Sequence, residues 1–168
     1  MSEIQTTEHV APRDAVAAMR IHAPSERNPK LAGVLAAANA STQLKARWHA
    51  AQVTADRLGM SDHSWVHLQI VLNSALRLFR LLRRRNVKSS IETDYAMGAD
   101  DAEVVIALAC LLHDIGMSIH RVDHEAFSLF LAADHMDELL ADVYEEPERT
   151  IVASEAMHAI IGHRSGGR

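Results

Sequence analysis

The chain has 168 residues and a mass of 18.5 kDa, the length of one domain able to bury a real core. Apolar residues make up 48% and charged residues 23%, which argues against disorder over the whole chain. Mean hydropathy is −0.06 and no apolar run approaches the ~20 residues of a membrane span, so no membrane is expected. Seventeen Lys and Arg against 22 Asp and Glu give a net charge of −5, the wrong balance for a general nucleic-acid backbone binder.

A single Cys excludes an intramolecular disulfide and a Cys-built zinc site. Residues 1–10 lack the basic and apolar regions of a signal peptide, and a cytoplasmic location is expected. Aromatics are only 4%, so the core must be packed mostly with Ala, Leu, Ile, Val and Met. The chain has 11 His, and imidazole is the commonest metal ligand and proton carrier near neutral pH.

Residues 1–29 hold Pro12, Pro24 and Pro29 and are expected to be loosely ordered, with a helical turn or two over 15–19. A helical domain is expected over 30–168. Leu31, Val34 and Leu35 share one face of a short helix. Ser41 or Thr42 caps a helix carrying Leu44, Trp48, Ala51, Val53 and Leu58, closed by Gly59. Ser61 or Asp62 caps the next helix, whose stripe reads His63, Val66, His67, Ile70, Val71, Ser74, Leu78, Leu81 and Leu82. Arg83, Arg84 and Arg85 complement the C-terminal end of its dipole and read as a solvated helix end.

A loop over 86–99 follows, and Asp100 with Glu103 forms a capping box. Residues 104–114 are apolar nearly all round, which predicts the central helix of the domain, with Cys110 a small core residue and Gly116 the stop. One further helix is expected from Asp123 through Leu131, and another through Met136, Leu139, Leu140 and Val143. A last helix, begun at Pro147, carries Ile151, Val152, Ala156, Ile160 and Ile161. No alternating strand pattern appears. The expected fold is all-α, a multi-helix bundle with Trp48 and Trp65 as packing anchors.

The strongest local signal is His113-Asp114, two ionisable residues at the end of the most apolar helix. Either the helix end emerges and Asp114 is solvated, or a metal ion neutralises a buried carboxylate and engages His113. His63 and His67 lie four apart, about 40° around a helix. His67 falls with the apolar stripe and is the better ligand; His63 belongs at the helix mouth. His158 and His163 are five apart, about 140° around a helix, and can share a site only if Gly162 breaks it.

Residues 61–67 (Ser-Asp-His-Ser-Trp-Val-His), then Leu-Leu-His113-Asp114-Ile-Gly116, then Asp123-His124-Glu125, then His158 to His163-Arg164 resemble the HD-domain metal-dependent phosphohydrolases. The resemblance covers roughly 60–168. It implies that His67 is the first metal ligand, with His113 and Asp114 its partners. It implies that His124 and His163 hold an additional ion with Asp114 bridging, and that His158 is a weaker candidate. Many relatives carry Lys where Met117 stands, so Arg121 and Arg164 become the candidate phosphate contacts. The family's closing Asp lies on a helix beyond the second His pair, and the expectation is a C-terminally incomplete domain.

The implied cofactor is one or two divalent transition metals, drawn from Mn, Fe, Zn, Co or Ni. The implied activity is hydrolysis of a phosphate mono- or diester, a nucleotide foremost, with Asp114, Arg121 and Arg164 as the catalytic residues. Two alternatives share the ligand set: a di-iron oxygenase of the same fold, and a catalytically weak metal- or nucleotide-binding regulatory module. The incomplete domain should expose apolar surface and favour a homo-oligomer.

Overall fold

The computed structural model describes residues 11–163. Helices α1 (Pro12–Ala18), α2 (Pro29–Ala40), α3 (Thr42–Arg57), α4 (Trp65–Arg84), α5 (Ser90–Asp94), α6 (Ala99–Leu112), α7 (His124–Leu140) and α8 (Glu148–Gly162) follow in order, with a 3-10 turn at Ile115–Ser118 between α6 and α7. No strand occurs among the described residues, and the fold is an all-α bundle. Helix α6 is its axis, with α2, α4 and α8 packed around it. Its residues Val104, Ala107, Leu108, Leu111 and Leu112 are all fully buried, as an all-round apolar helix requires. The 3-10 turn sits between α3 and α7.

Local chemistry sets most boundaries. The Asn28 side chain accepts from Leu31 N–H at the head of α2, the Ser41 side chain from Leu44 N–H at the head of α3, and the Ser64 side chain from Val66 N–H at the head of α4. Gly59, at φ +64°, reverses the chain after α3. The Leu111 carbonyl, left without an intrahelical partner as α6 ends, accepts from Trp48 Nε1–H at 2.9 Å.

The structure departs from the sequence reading in several places. Residues 11–29 are packed in place of the loose segment expected: α1 buries Val16, Met19 and Ile21 enter the core, and Asn39 bonds both backbone groups of Ile21. Helix α4 starts at Trp65, so His63 precedes it and the His63–His67 pair does not share a helix face. Its buried residues are Leu68, Leu72 and Leu76; Val66, Ile70, Leu78, Leu81 and Leu82 are exposed. The loop over 86–99 contains α5, started by a Ser89–Glu92 capping box. The box at the head of α6 runs from Gly98 N–H to Asp101, not from Asp100 to Glu103. The two helices expected over 123–143 are one, α7.

Candidate metal centre

The site forms where α6 gives way to the 3-10 turn. His113 keeps helical torsions, and Asp114 breaks them at φ −105°, ψ 1°. Gly116 is required here by space. A Cβ would fall on the backbone of His124, Phe127 and Ser128. The fully buried Ser128 hydroxyl accepts from Gly116 N–H at 2.9 Å and donates to the His113 carbonyl at 2.5 Å. Helix α7 is thereby fastened to the turn, and its first residue, His124, is delivered to Asp114. Asp123 immediately before it sits at φ 58°, a left-handed conformation that Asp tolerates better than most residues. His67 arrives from the first turn of α4, and His163 from the C-terminal cap of α8.

Four imidazoles converge on one carboxylate. Asp114 Oδ2 lies 3.0 Å from His113 Nε2 and 3.9 Å from His67 Nε2. Asp114 Oδ1 lies 3.3 Å from His124 Nε2 and 3.7 Å from His163 Nε2. The ligand atoms of His67, His113 and Asp114 all fall within 4.8 Å of one another, and so do those of Asp114, His124 and His163. Asp114, the shared member, is the one carboxylate in either group among the described residues.

The far side of each ring decides what the near side can do. His113 Nδ1 lies 3.0 Å from the Cys110 carbonyl, His124 Nδ1 2.9 Å from the Arg121 carbonyl, and His163 Nδ1 2.7 Å from the Ile160 carbonyl. A carbonyl only accepts, so each Nδ1 carries the proton. In the neutral ring Nε2 is then a bare lone pair, the arrangement that orients metal-ligating His.

The carboxylate cannot supply the missing proton. Burial alone would push Asp114 up, but the His113 hydrogen bond and the charges of His113, His124 and His63 outweigh it and hold the acid at about 2. Burial pushes His67 and His163 below the usual imidazole range, towards the neutral form. For His113 burial also acts downward, but the hydrogen bond and charge of Asp114 prevail and raise it. His113, with Nδ1 on a carbonyl and Nε2 on Asp114, is thereby favoured as a charged donor, whereas the neutral His163 ring turns a lone pair toward the same carboxylate.

A cleft of about 320 Å³ opens onto this cluster. His113, Asp114, His124 and His163 line it together with His63, Met60 and Arg121. Arg121 Nε donates to Met60 Sδ at 3.1 Å, which steadies the guanidinium at the rim. His63 Nδ1 pairs with the Ser61 carbonyl at 2.6 Å, and its ring centroid stands 5.6 Å from that of His67.

Of the sequence-predicted ligands, His67, His113, Asp114, His124 and His163 meet at this point. His158 does not. It is exposed, belongs to neither group, and the helix break at Gly162 comes too late to turn it inward, since α8 runs unbroken through His158. Arg164 lies outside the described residues. Cys110 is a core residue whose thiol burial pushes up to about 11. Ser128 and Met60 carried no sequence signal, because their roles exist only once α7 and the α3–α4 connection have folded against the turn.

The comparisons with known proteins add one relative. The chain is 34% identical over 110 residues to the uncharacterized protein MJ1020 of Methanocaldococcus jannaschii. The match covers 66% of this chain and 42% of that protein, so the chain spans well under half of the relative's length. No family model matches the chain, and no solved structure matches it significantly.

Proposed function

We infer that the chain is a metal-dependent phosphohydrolase of the HD-domain kind, acting on a phosphate mono- or diester, with nucleotides as the first substrate class to examine. The observation that supports this reading is the pair of ligand groups sharing Asp114, with Nδ1 tied to a backbone carbonyl in three of the four histidines. Mixed imidazole and carboxylate donors fit a divalent transition metal such as Mn, Fe, Zn, Co or Ni. His67, His113 and Asp114 Oδ2 would hold one ion; Asp114 Oδ1, His124 and His163 would hold another.

Such ions supply Lewis acidity toward phosphoryl oxygens and lower the pKa of bound water. The protein's own residues do the rest. Asp114 spans the two groups with its two oxygens and sets their separation. Arg121, at the rim of the cleft, presents guanidinium N–H groups to a substrate phosphate and neutralises its charge. His63 lines the cleft outside both ligand groups, where it can hand a proton to the leaving oxygen. The cleft is wide enough to admit a phosphoester beside the cluster.

Elemental analysis of the purified protein, with hydrolysis of a nucleotide and phosphodiester panel after loading with each metal, tests the reading. Bound transition metal with metal-dependent phosphate release supports it. Absence of metal under all loading conditions overturns the metal centre. Metal with dioxygen uptake and no phosphoester turnover moves the assignment to the oxygenase.

A further inference from the structure

Met60 belongs to neither ligand group, yet the fold fixes it closely. It closes α3 in a Schellman motif. Met60 N–H donates to the Ala55 carbonyl at 3.0 Å, and Gly59 N–H donates to the Asp56 carbonyl at 3.0 Å. Gly59 takes the left-handed φ of +64° that this motif needs. The Met60 side chain packs on the small cluster of Ala51, Ala55 and Met117. Met117 is buried in the 3-10 turn, where its N–H donates to the Asp114 carbonyl at 2.9 Å. A flexible thioether is thereby wedged between the end of α3 and the turn that carries the site.

From there Met60 Sδ accepts from Arg121 Nε at 3.1 Å. Arg121 is exposed, and a long exposed side chain of this kind ordinarily samples many rotamers. Here it is held at both ends. Its carbonyl lies 2.9 Å from His124 Nδ1, and its guanidinium rests on the thioether. The guanidinium is thus placed with reference to a candidate metal ligand.

The kind of partner matters. Elsewhere in the molecule carboxylates hold the arginines: Glu103 holds Arg80, Glu92 holds Arg83 and Glu146 holds Arg149. A carboxylate orients a guanidinium and cancels its charge. A thioether is a weak, uncharged acceptor, so it orients the group and leaves the charge whole. It also takes Nε, the N–H that a side-on fork would use. Nη1 and Nη2 are left for the end-on fork, two parallel donors to two oxygens of one phosphoryl group.

We propose that Met60 is a positioning residue for substrate: its thioether presets Arg121 to grip a phosphoryl group end-on through Nη1 and Nη2. The inference rests on the phosphohydrolase reading and adds a residue to it. Met60 acts through Arg121 and touches no reacting atom. Its contribution is to order the guanidinium before the phosphate arrives, so that less freedom is lost on binding.

The test joins a spectroscopic reading to a binding reading on the full chain. In the metal-free protein the Arg121 Nε–H should give a proton–nitrogen NMR signal that exchanges slowly with water. Met60→Leu keeps the volume and removes the acceptor, and should bring that signal to the fast exchange of free arginines. Inorganic phosphate is then titrated calorimetrically into the metal-loaded protein. Met60→Leu should weaken its binding about three- to tenfold, the range of one ordinary hydrogen bond, with metal content unchanged. Arg121→Gln should weaken it about ten- to hundredfold. Met60→Leu added to Arg121→Gln should cost nothing further. Met60→Gln, an uncharged acceptor of similar length, should restore both readings, which a merely structural role would not.

A fast-exchanging Arg121 Nε–H in the wild type overturns the proposal. So does Met60→Leu with wild-type phosphate affinity where Arg121→Gln has lost it. So does a full further loss when Met60→Leu is added to Arg121→Gln. A wild type that binds neither metal nor phosphate, with its Nε–H signal intact, brings down the phosphohydrolase reading and the positioning role with it.

Discussion

Helix α6 has buried acids at both ends, and it neutralises them differently. Near its N-terminus Asp101 accepts from Lys30 Nζ at 2.6 Å, from the Tyr144 hydroxyl at 2.7 Å and from Gly98 N–H at 2.8 Å. Glu103 takes both arms of Arg80, at 2.6 and 2.9 Å, and the Asn28 amide at 3.2 Å. Fixed cations and donors of the chain itself satisfy these two carboxylates. Beyond the C-terminus Asp114 is equally buried, yet its neighbours are four imidazole Nε2 atoms whose protonation is conditional. A buried acid with permanent partners is part of the scaffold. On the proposed reading, a buried acid ringed by histidines, three of them tied back through Nδ1, receives a cation from outside. The permanent partners assign Asp101 and Glu103 to stability, and the proposed metal centre would give Asp114 a different task.

The largest effect that could break this comparison is at Asp114. Asp114→Ala removes the one carboxylate common to both ligand groups and should take metal content to background and phosphoester turnover with it. Removing a ligand exclusive to one group, as in His67→Ala or His163→Ala, should leave about one ion where the wild type holds two. Inductively coupled plasma analysis after metal loading reads both. Full metal retention in Asp114→Ala would mean that the acid at this end of α6 is structural too.

At the other end the effect should be on stability and not on metal. Glu103→Gln keeps the shape but leaves Arg80 without its counter-charge. It should cost about 1–3 kcal/mol in denaturant unfolding, the range for a hydrogen bond to a charged group, moderated because Arg80 is partly exposed. Metal content should be unchanged. Loss of metal in this variant would show that the two ends of α6 are coupled through the helix.

The pH dependence of unfolding sharpens the same contrast. For Glu103 burial acts upward, but the Arg80 and Asn28 hydrogen bonds overcome it and hold the carboxyl below its ordinary 4.5. Asp101 is likewise held below 3.8, burial being outweighed by Lys30 and Tyr144. A carboxyl depressed in the folded state stabilises the fold above its unfolded pKa, and that contribution is lost as pH falls through the folded value. The wild type should therefore lose stability below about pH 4.5, and Glu103→Gln should lose less over the same interval. Metal release should begin at higher pH, because protons compete for imidazole lone pairs before they reach these acids. Coincident midpoints for metal release and unfolding would contradict the separation.

How much of this was legible in the residues follows from what each signal depends on. The all-helical architecture and the central place of α6 followed from an unbroken apolar run, which has one stable environment. His113 and Asp114 could be selected because they end an apolar helix just before a glycine, whereas His124 and His163 were selected only through the resemblance to the HD-domain pattern, with Gly162 able to end α8. The orientation of α4 could not be read. The apolar ridges at Leu68-Leu72-Leu76 and at Val66-Ile70-Leu78 have the same helical period, so periodicity alone does not say which one the core takes. His63 was drawn into that helix for the same reason, since Ser61, Asp62 and Ser64 are all competent caps and only the fold selects Ser64. The carbonyl partners of the Nδ1 atoms, which argue most for metal, are backbone groups and leave no trace in composition or spacing.

Ser128 gives the smallest expected effect and the finest test. Its hydroxyl touches no ligand side chain; it joins Gly116 N–H to the His113 carbonyl and so fixes where α7 begins. Ser128→Ala leaves a buried N–H and a buried carbonyl each one partner short, at about 1–2 kcal/mol. The part of that cost that matters is positional, because His124 rides on the first turn of α7 while His67 does not. Metal affinity should fall about tenfold, the low end for partners that orient a ligand. Titration should show the loss in the ion held by His124 and His163, while the ion held by His67 and His113 keeps most of its affinity. His158→Ala, on an exposed face of α8, should change neither affinity and serves as the matched control. Equal weakening of both ions by Ser128→Ala would mean that the hydroxyl supports the whole turn, not the placement of α7 against it.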